Sequence, residues 1–159
     1  MISLPKDIEY IITDFDGVLT DGYIYITENS DNHTKRLNFK DIMAISIAVK
    51  NGYKVGIISG EKGSIIDYVA NKFNLEEVHQ GIRNKIDVLK SIIERLGLER
   101  GKLIYIGDDV NDIDCLNYAG YPITVPNAIS KVKELNNIQI TEHNGGEGAF
   151  REVVDSIIT

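Results

Sequence analysis

The sequence predicts an α/β protein built on a doubly wound parallel sheet, and three observations carry that prediction. Short, nearly continuous apolar segments rich in β-branched residues recur along the chain, as strands buried on both faces do. Between them lie longer amphipathic stretches with helical period. Four polar motifs fall directly after strands or at helix starts, the edge at which such Rossmann-like sheets bind ligands.

Taken in order, Ile8 to Thr13 (IEYIIT) reads as the first strand. It is followed by Gly22 to Phe39 (GYIYITENSDNHTKRLNF), two β-rich arms about a polar turn at Glu28 to Asn32. That pattern predicts an inserted hairpin. Its first arm, Tyr23, Ile24, Tyr25 and Ile26, is more apolar than a lone exposed hairpin tolerates, which predicts cover by a partner subunit. A helix is predicted from Asp41 to Lys50, a strand from Lys54 to Ile58, and a helix from Ser64 to Phe73. Glu77 to His79 reads as a short strand, Lys85 to Leu96 as a helix, and Leu103 to Ile106 as a strand. Next come a helix from Asp112 to Tyr118, a strand from Tyr121 to Thr124 and a helix from Ser130 to Leu135. Ile138 to Ile140 reads as a strand and Ala149 to Ile158 as the last helix. The glycines of HNGGEGAF (Gly145, Gly146, Gly148) supply a flexible loop into that helix. No repeat or linker divides the chain, so its 159 residues predict one domain over 1–159, with the insert at about 22–39.

Composition narrows the function classes. The 24 acids outnumber the 17 bases for a net charge of −7, with no basic tail, which points away from nucleic acid. The single cysteine, Cys115, excludes a disulfide framework. It reads as a buried small apolar group, since no basic partner flanks it. No apolar run approaches the roughly 20 residues needed to span a bilayer, and the start lacks a signal-peptide pattern. The expectation is a soluble, cytoplasmic protein with no membrane partner.

The first motif is Asp14-Phe15-Asp16-Gly17-Val18-Leu19-Thr20-Asp21, directly after IEYIIT. Two carboxylates separated by one residue can share a hard cation and a reacting group. A calcium loop needs more spaced oxygen ligands and a preceding helix, and a solvated turn leaves two acids beside a buried strand with no cation to offset them. The second motif is Ser59-Gly60, where a hydroxyl and nearby N–H groups can hold a phosphate. In the third, Gln80-Gly81-Ile82-Arg83-Asn84-Lys85, a lysine opens a helix against the macrodipole, which asks for a nearby anion. The fourth is Gly107-Asp108-Asp109-Val110-Asn111-Asp112, whose acids repel one another unless a positive group sits among them. Helix capping accounts for one or two of these acids.

Together DxDGVxTD, SG, the later Lys and GDDxxD resemble the haloacid dehalogenase superfamily of phosphohydrolases. Thr20-Asp21-Gly22, the hairpin, Asp41, Gln80-Gly81 and GGEGAFRE resemble one branch of it. That branch is the capless, homotetrameric phosphatases of ketodeoxyoctonate 8-phosphate and of nine-carbon sialic-type (ketodeoxynononate) 9-phosphates. The resemblance implies a fold with no cap domain, Asp14 as nucleophile, and Asp16 as general acid and base. It implies Mg²⁺ held by the Asp14 carboxylate, the Asp16 carbonyl and the Asp108 carboxylate. Ser59 and Lys85 would hold the phosphoryl oxygens, while Asp109 and Asp112 orient water and Lys85.

For the substrate, Glu61 after Ser59-Gly60 and Lys72, expected three turns along one helix, resemble the nine-carbon branch, and the octulosonate branch usually has Arg after the Gly. The expected main substrate is therefore a nine-carbon 9-phosphate, with 3-deoxy-D-manno-octulosonate 8-phosphate as the alternative. Arg151 is a further candidate anion contact. Two features depart from the branch: Ile42-Met43-Ala44 stands where relatives often carry Gly-rich sequence, and Thr159 directly follows the last helix, leaving little tail to reach a neighbouring site. A phosphoaccepting receiver domain is the competing class, but its acidic pair is contiguous and it lacks the hairpin. A catalytically silent tetramer is the other rival, and the intact motifs oppose it.

Overall fold

The computed structural model describes residues 2–29 and 33–158. Its central strand, β1 (Tyr10–Thr13), is wholly buried and has parallel neighbours on both sides. The chain leaves it through a hairpin of β2 (Tyr25–Ile26) and β3 (His33–Thr34), then enters α1 (Phe39–Lys50). The helix starts at Phe39, two residues ahead of the expected Asp41, and is capped by Asn38, whose side chain accepts from the Lys40 N–H at 2.9 Å. There follow β4 (Lys54–Ile58), α2 (Ser64–Phe73), β5 (Glu77–His79), α3 (Lys85–Leu96) and β6 (Leu103–Ile106). The chain closes with α4 (Ile113–Tyr118), β7 (Tyr121–Thr124), α5 (Ser130–Lys133), β8 (Gln139–Ile140) and α6 (Ala149–Ile158).

The sheet runs in the order β5-β4-β1-β6-β7-β8, with every pairing parallel. Alternate residues of each strand feed opposite layers. Ile11, Val55, Ile57, Ile104 and Ile106 pack against α1, α2 and α6 through Ile45, Ile66, Val69, Phe150 and Val153. Tyr10, Ile12, Ile58, Leu103 and Tyr105 pack against α3, α4 and α5 through Leu89, Ile92, Leu116 and Val132. This is the doubly wound fold the alternating pattern predicts. Among the described residues no helix is long and apolar enough to cross a membrane.

Three local features differ from the sequence reading. The helix expected from Asp112 begins as a 3-10 turn, Val110–Asp112, because Asp109 and Asp112 form a reciprocal capping box there. The helix after Ser130 stops at Lys133. The hairpin strands are only two residues long, and Tyr23, Ile24, Tyr25 and Ile26 are 50–71% exposed, so the first arm has no buried face within this chain. Its expected polar turn lies partly outside the described residues.

The loop before α6 is tied to the first motif. Gly145 approaches so closely that a Cβ there would lie 1.7 Å from the Gly17 carbonyl oxygen. Asp41, fully buried on α1, accepts from the Gly148 and Arg151 N–H groups at 3.1 and 3.0 Å and so caps α6.

Candidate active site

The topology brings the motifs together. From β1 the chain builds β4 and β5 on one side, then crosses back to place β6 on the other. The carboxyl ends of β1, β4 and β6 therefore flank the switch point of the sheet, where a crevice opens. Asp14 follows β1, Ser59 follows β4, and Asp108 lies two residues past β6. They line one cavity of about 220 Å³ with Asp16, Glu61 and Asn111. Gly17 lets the first loop close over this crevice. Its φ is +86°, and a Cβ would fall 1.9 Å from an Asp108 carboxylate oxygen.

Asp14 lines the cavity and is 5% exposed, while Lys85, its partner outside the cavity lining, is 1% exposed. Lys85 Nζ lies 2.8 Å from Asp14 Oδ2 and 2.8 Å from Asp112 Oδ1. These are the anions that a lysine in the first turn of α3 requires. Burial opposes charge on Lys85, but the two carboxylates outweigh it and hold the ammonium above the ordinary lysine value. Burial, and then Asp112, push the Asp14 carboxyl well above the usual carboxylate range against the pull of Lys85. Asp14 Oδ1 also accepts from the Phe15 N–H at 2.6 Å.

Asp112 is fully committed. Its Oδ1 also accepts the Tyr105 hydroxyl at 2.8 Å, and its Oδ2 accepts the Asp108 and Asp109 N–H groups at 3.1 and 3.3 Å. Asp109 instead caps its own turn, with Oδ1 accepting from Val110 N–H at 2.6 Å, so the recorded bonds to Lys85 come from Asp14 and Asp112.

Asp16 faces the hairpin. Its Oδ2 lies 2.6 Å from Lys35 Nζ, and its Oδ1 accepts the Thr20 hydroxyl at 3.3 Å. Thr20 Oγ1 in turn accepts the Gly17 and Gly22 N–H groups at 3.2 Å each, which shapes the TDG turn. Next along the chain, Arg36 pairs with Asp21. Neither Lys35, Thr20 nor Asn111 was singled out in the sequence as a site residue. Thr20 and Asn111 lie inside motifs that could have flagged them, whereas Lys35 has no local signal.

The specificity candidates separate. Ser59 is 1% exposed, and its Oγ accepts from the Glu61 N–H at 3.2 Å, which turns the chain back over the cavity. Glu61 lines that cavity from this turn, not from the helix expected to carry it, because α2 begins only at Ser64. Lys72 sits in the last turn of α2, about 12 Å along the axis from Ser64. There it meets the Tyr68 hydroxyl at 3.3 Å and lies outside the cavity lining of its own chain. Arg151 also lies elsewhere: its Nε pairs with Asp155 at 2.7 Å, and it lines a separate cavity with Lys40 and His143.

The acids fit a divalent cation. Asp14, Asp108 and Asp112 each offer an oxygen within 4.8 Å of the others, with one ammonium against three carboxyl groups. Asp108 Oδ1 is buried without a hydrogen-bond partner among the described residues, a costly arrangement that a cation would relieve. Burial first, then Asp112 and Asp109, push the Asp108 carboxyl up to about 7. Since Asp112 is spent on Lys85, Tyr105 and two N–H groups, Asp14 and Asp108 are the donors left. An all-oxygen set suits Mg²⁺.

Comparison with known proteins places the chain in a family. A family model described as haloacid dehalogenase-like hydrolase matches residues 61–152. The 3-deoxy-D-manno-octulosonate 8-phosphate phosphatase KdsC of Escherichia coli K12 is 29% identical over 158 residues, spanning 99% of this chain and 83% of that protein. The crystal structure of 3-deoxy-D-manno-octulosonate 8-phosphate phosphatase from Moraxella catarrhalis, in complex with magnesium, phosphate and KDO, is 31% identical. It superposes with a TM-score of 0.89 over 96% of this chain and 87% of that one. The cobalt-bound deoxy-D-mannose-octulosonate 8-phosphate phosphatase of Haemophilus influenzae is 27% identical, with a TM-score of 0.88 over 96% and 88% of the two chains. The chain belongs to the haloacid dehalogenase-like hydrolases and, within them, to the phosphatase branch that its motifs resemble.

Proposed function

We propose that this protein is a Mg²⁺-dependent phosphomonoesterase that hydrolyses 3-deoxy-D-manno-octulosonate 8-phosphate through an aspartyl-phosphate on Asp14. The observation that carries the chemistry is the buried pairing of Asp14 with Lys85 at 2.8 Å, beside the unpartnered Asp108 oxygen and at the floor of an open cavity. The substrate follows from likeness to the octulosonate phosphatases above.

Asp14 attacks phosphorus and the ester P–O bond breaks. Asp16 gives its proton to the ester oxygen, so the sugar acid leaves as a neutral alcohol. Asp16 then takes a proton from the water that attacks the aspartyl-phosphate, releasing inorganic phosphate and restoring Asp14. Ser59 and Lys85 hold phosphoryl oxygens, Asp112 fixes Lys85, and Asp109 shapes the loop beside them. Asp14, Asp108 and the Asp16 carbonyl would hold the cation, which when bound would offset repulsion between the anionic ester and the nucleophile. The exposed Tyr23–Ile26 arm and the uncovered Phe39 support assembly into a homotetramer.

A nine-carbon 9-phosphate is the second reading, favoured by one observation: Glu61 lines the cavity. Phosphate release with Mg²⁺, compared by kcat/KM between the octulosonate 8-phosphate and the nine-carbon 9-phosphates, tests both. A higher kcat/KM for the eight-carbon ester is the expected result. Preference for a nine-carbon ester would replace the substrate and keep the chemistry, and release from neither would discard the substrate class.

A further inference from the structure

We infer that Lys35, on the second arm of the hairpin, is the positioning residue that holds Asp16 in its proton-donating orientation. This rests on the reading of Asp16 as general acid and extends it to a group outside the four motifs. Lys35 Nζ lies 2.6 Å from Asp16 Oδ2, and the Lys35 side chain is only 6% exposed. Burying an ammonium that deeply is unfavourable unless a carboxylate meets it, so the contact is more than a surface latch.

The neighbouring ion pair shows the contrast. Arg36, paired with Asp21, already ties the hairpin to the first motif through a side chain that is 61% exposed. Lys35 instead turns inward to the reacting loop. The Asp16 carboxyl is thereby held at both oxygens, by the Lys35 ammonium and by the Thr20 hydroxyl at 3.3 Å. Without Lys35, only the long hydroxyl contact remains of these two, and the carboxyl can rotate out of line with the ester oxygen.

The cavities place this pair beside the leaving group. A second cavity of about 300 Å³ is lined by Asp16, Gly22, Ile24, His33, Lys35 and Glu61. It shares Asp16, Gly22 and Glu61 with the cavity over Asp14. Asp16 thus stands where the two meet, with Asp14 on one side and Lys35 on the other. As the Asp14 oxygen bonds to phosphorus and the ester bond breaks, the proton that Asp16 took from water in the preceding turnover passes to the departing oxygen, and the Lys35 ammonium meets the carboxylate left behind.

Leaving-group dependence tests this. An alkyl phosphate needs a proton for its leaving oxygen, whereas p-nitrophenyl phosphate expels a stable phenolate and does not. Lys35→Gln is expected to lower kcat on the octulosonate 8-phosphate by about tenfold, a part of the roughly 10²–10⁴-fold that general acid catalysis supplies. On p-nitrophenyl phosphate the loss should be several times smaller, and Lys35→Arg should restore part of the alkyl-ester rate. Arg36→Gln, which loosens the hairpin without touching Asp16, should affect both esters alike. An equal loss on both esters in Lys35→Gln makes the contact merely structural, and no loss on either makes it idle; each overturns the proposal. If Asp16→Asn itself slows both esters equally, the proton-donor reading beneath the proposal fails first, and the proposal with it.

Discussion

Lys85 and Asp112 form a buried pair, Nζ to Oδ1 at 2.8 Å, with both side chains fully excluded from solvent. Asp14 completes the set from the far side of the same ammonium. One cation therefore organises two loops that follow β1 and β6, and its own carbon stem comes from α3. Removing either partner of such a pair costs about 3–5 kcal/mol because it strands a buried charge. The site is consequently part of the fold's stability as well as its chemistry.

Asp14→Asn should abolish turnover, by at least about 10³-fold in kcat, while the protein stays folded. The amide keeps the side chain's shape, and burial already disfavours the charged form of Asp14. Phosphate release and circular dichroism on fresh protein check this. Substantial activity, once deamidation of the new Asn is excluded by mass spectrometry, would remove Asp14 as nucleophile.

Asp108→Asn separates stability from cation binding. In metal-free protein the substitution should raise Tm, because burial, Asp112 and Asp109 all oppose a charge there. Mg²⁺ at a hundred times its Kd should stabilise the unsubstituted protein by about 2.7 kcal/mol, and EDTA should reverse that gain. In the Asn variant this Mg²⁺-dependent shift should largely vanish. A full shift would move the cation away from Asp108.

Acid stability should depend on Glu77. Burial pushes its carboxyl up, but His79 at 2.8 Å and Arg95 at 2.6 Å outweigh burial and hold it below the usual glutamate value. A depressed carboxyl contributes stability above its unfolded pKa and loses it as pH falls through the folded one. Glu77→Gln should therefore cost about 1.5–3 kcal/mol near neutral pH, with the difference closing as the solution is acidified below about pH 4. Denaturant unfolding at several pH values reads this. A gap that stays constant with pH would contradict it.

Cys115 should resist alkylation in the folded protein. It is fully buried, and burial pushes its thiol up to about 12, so neither access nor thiolate is provided. Iodoacetamide should modify it only after denaturation, and rapid labelling of native protein would contradict the packing.

The hairpin should govern assembly. Tyr25→Glu with Ile26→Glu places two charges on an arm whose residues are at least half exposed in one chain. Sedimentation velocity should show the proposed homotetramer breaking into smaller species. An unchanged sedimentation coefficient would assign assembly to another surface.

The helices and strands were largely legible because each carries its own signal. Lys85–Leu96 and Ala149–Ile158 show helical apolar period, and Leu103–Ile106 shows an uninterrupted buried run, all within a dozen residues. The motif acids were legible for the same reason, since strand ends in a parallel sheet share one edge. That reasoning also asked for an anion beside Lys85, and Asp14 and Asp112 answer it. By itself, then, the sequence determined the sheet, the edge that carries the acids and the family.

Tertiary structure alone decided which groups meet across that edge. Lys35 reaches Asp16 over 19 residues, and Asp41 caps α6 over 107, with no periodicity to announce either contact. The sequence places Glu61 and Lys72 on one helix, yet Gly63 is extended and α2 starts at Ser64, so only Glu61 stays at the cavity. The reason is physical. Backbone propensity and burial act along a few residues, while the pairing of a charged side chain depends on where the whole sheet and its loops bring the opposite charge.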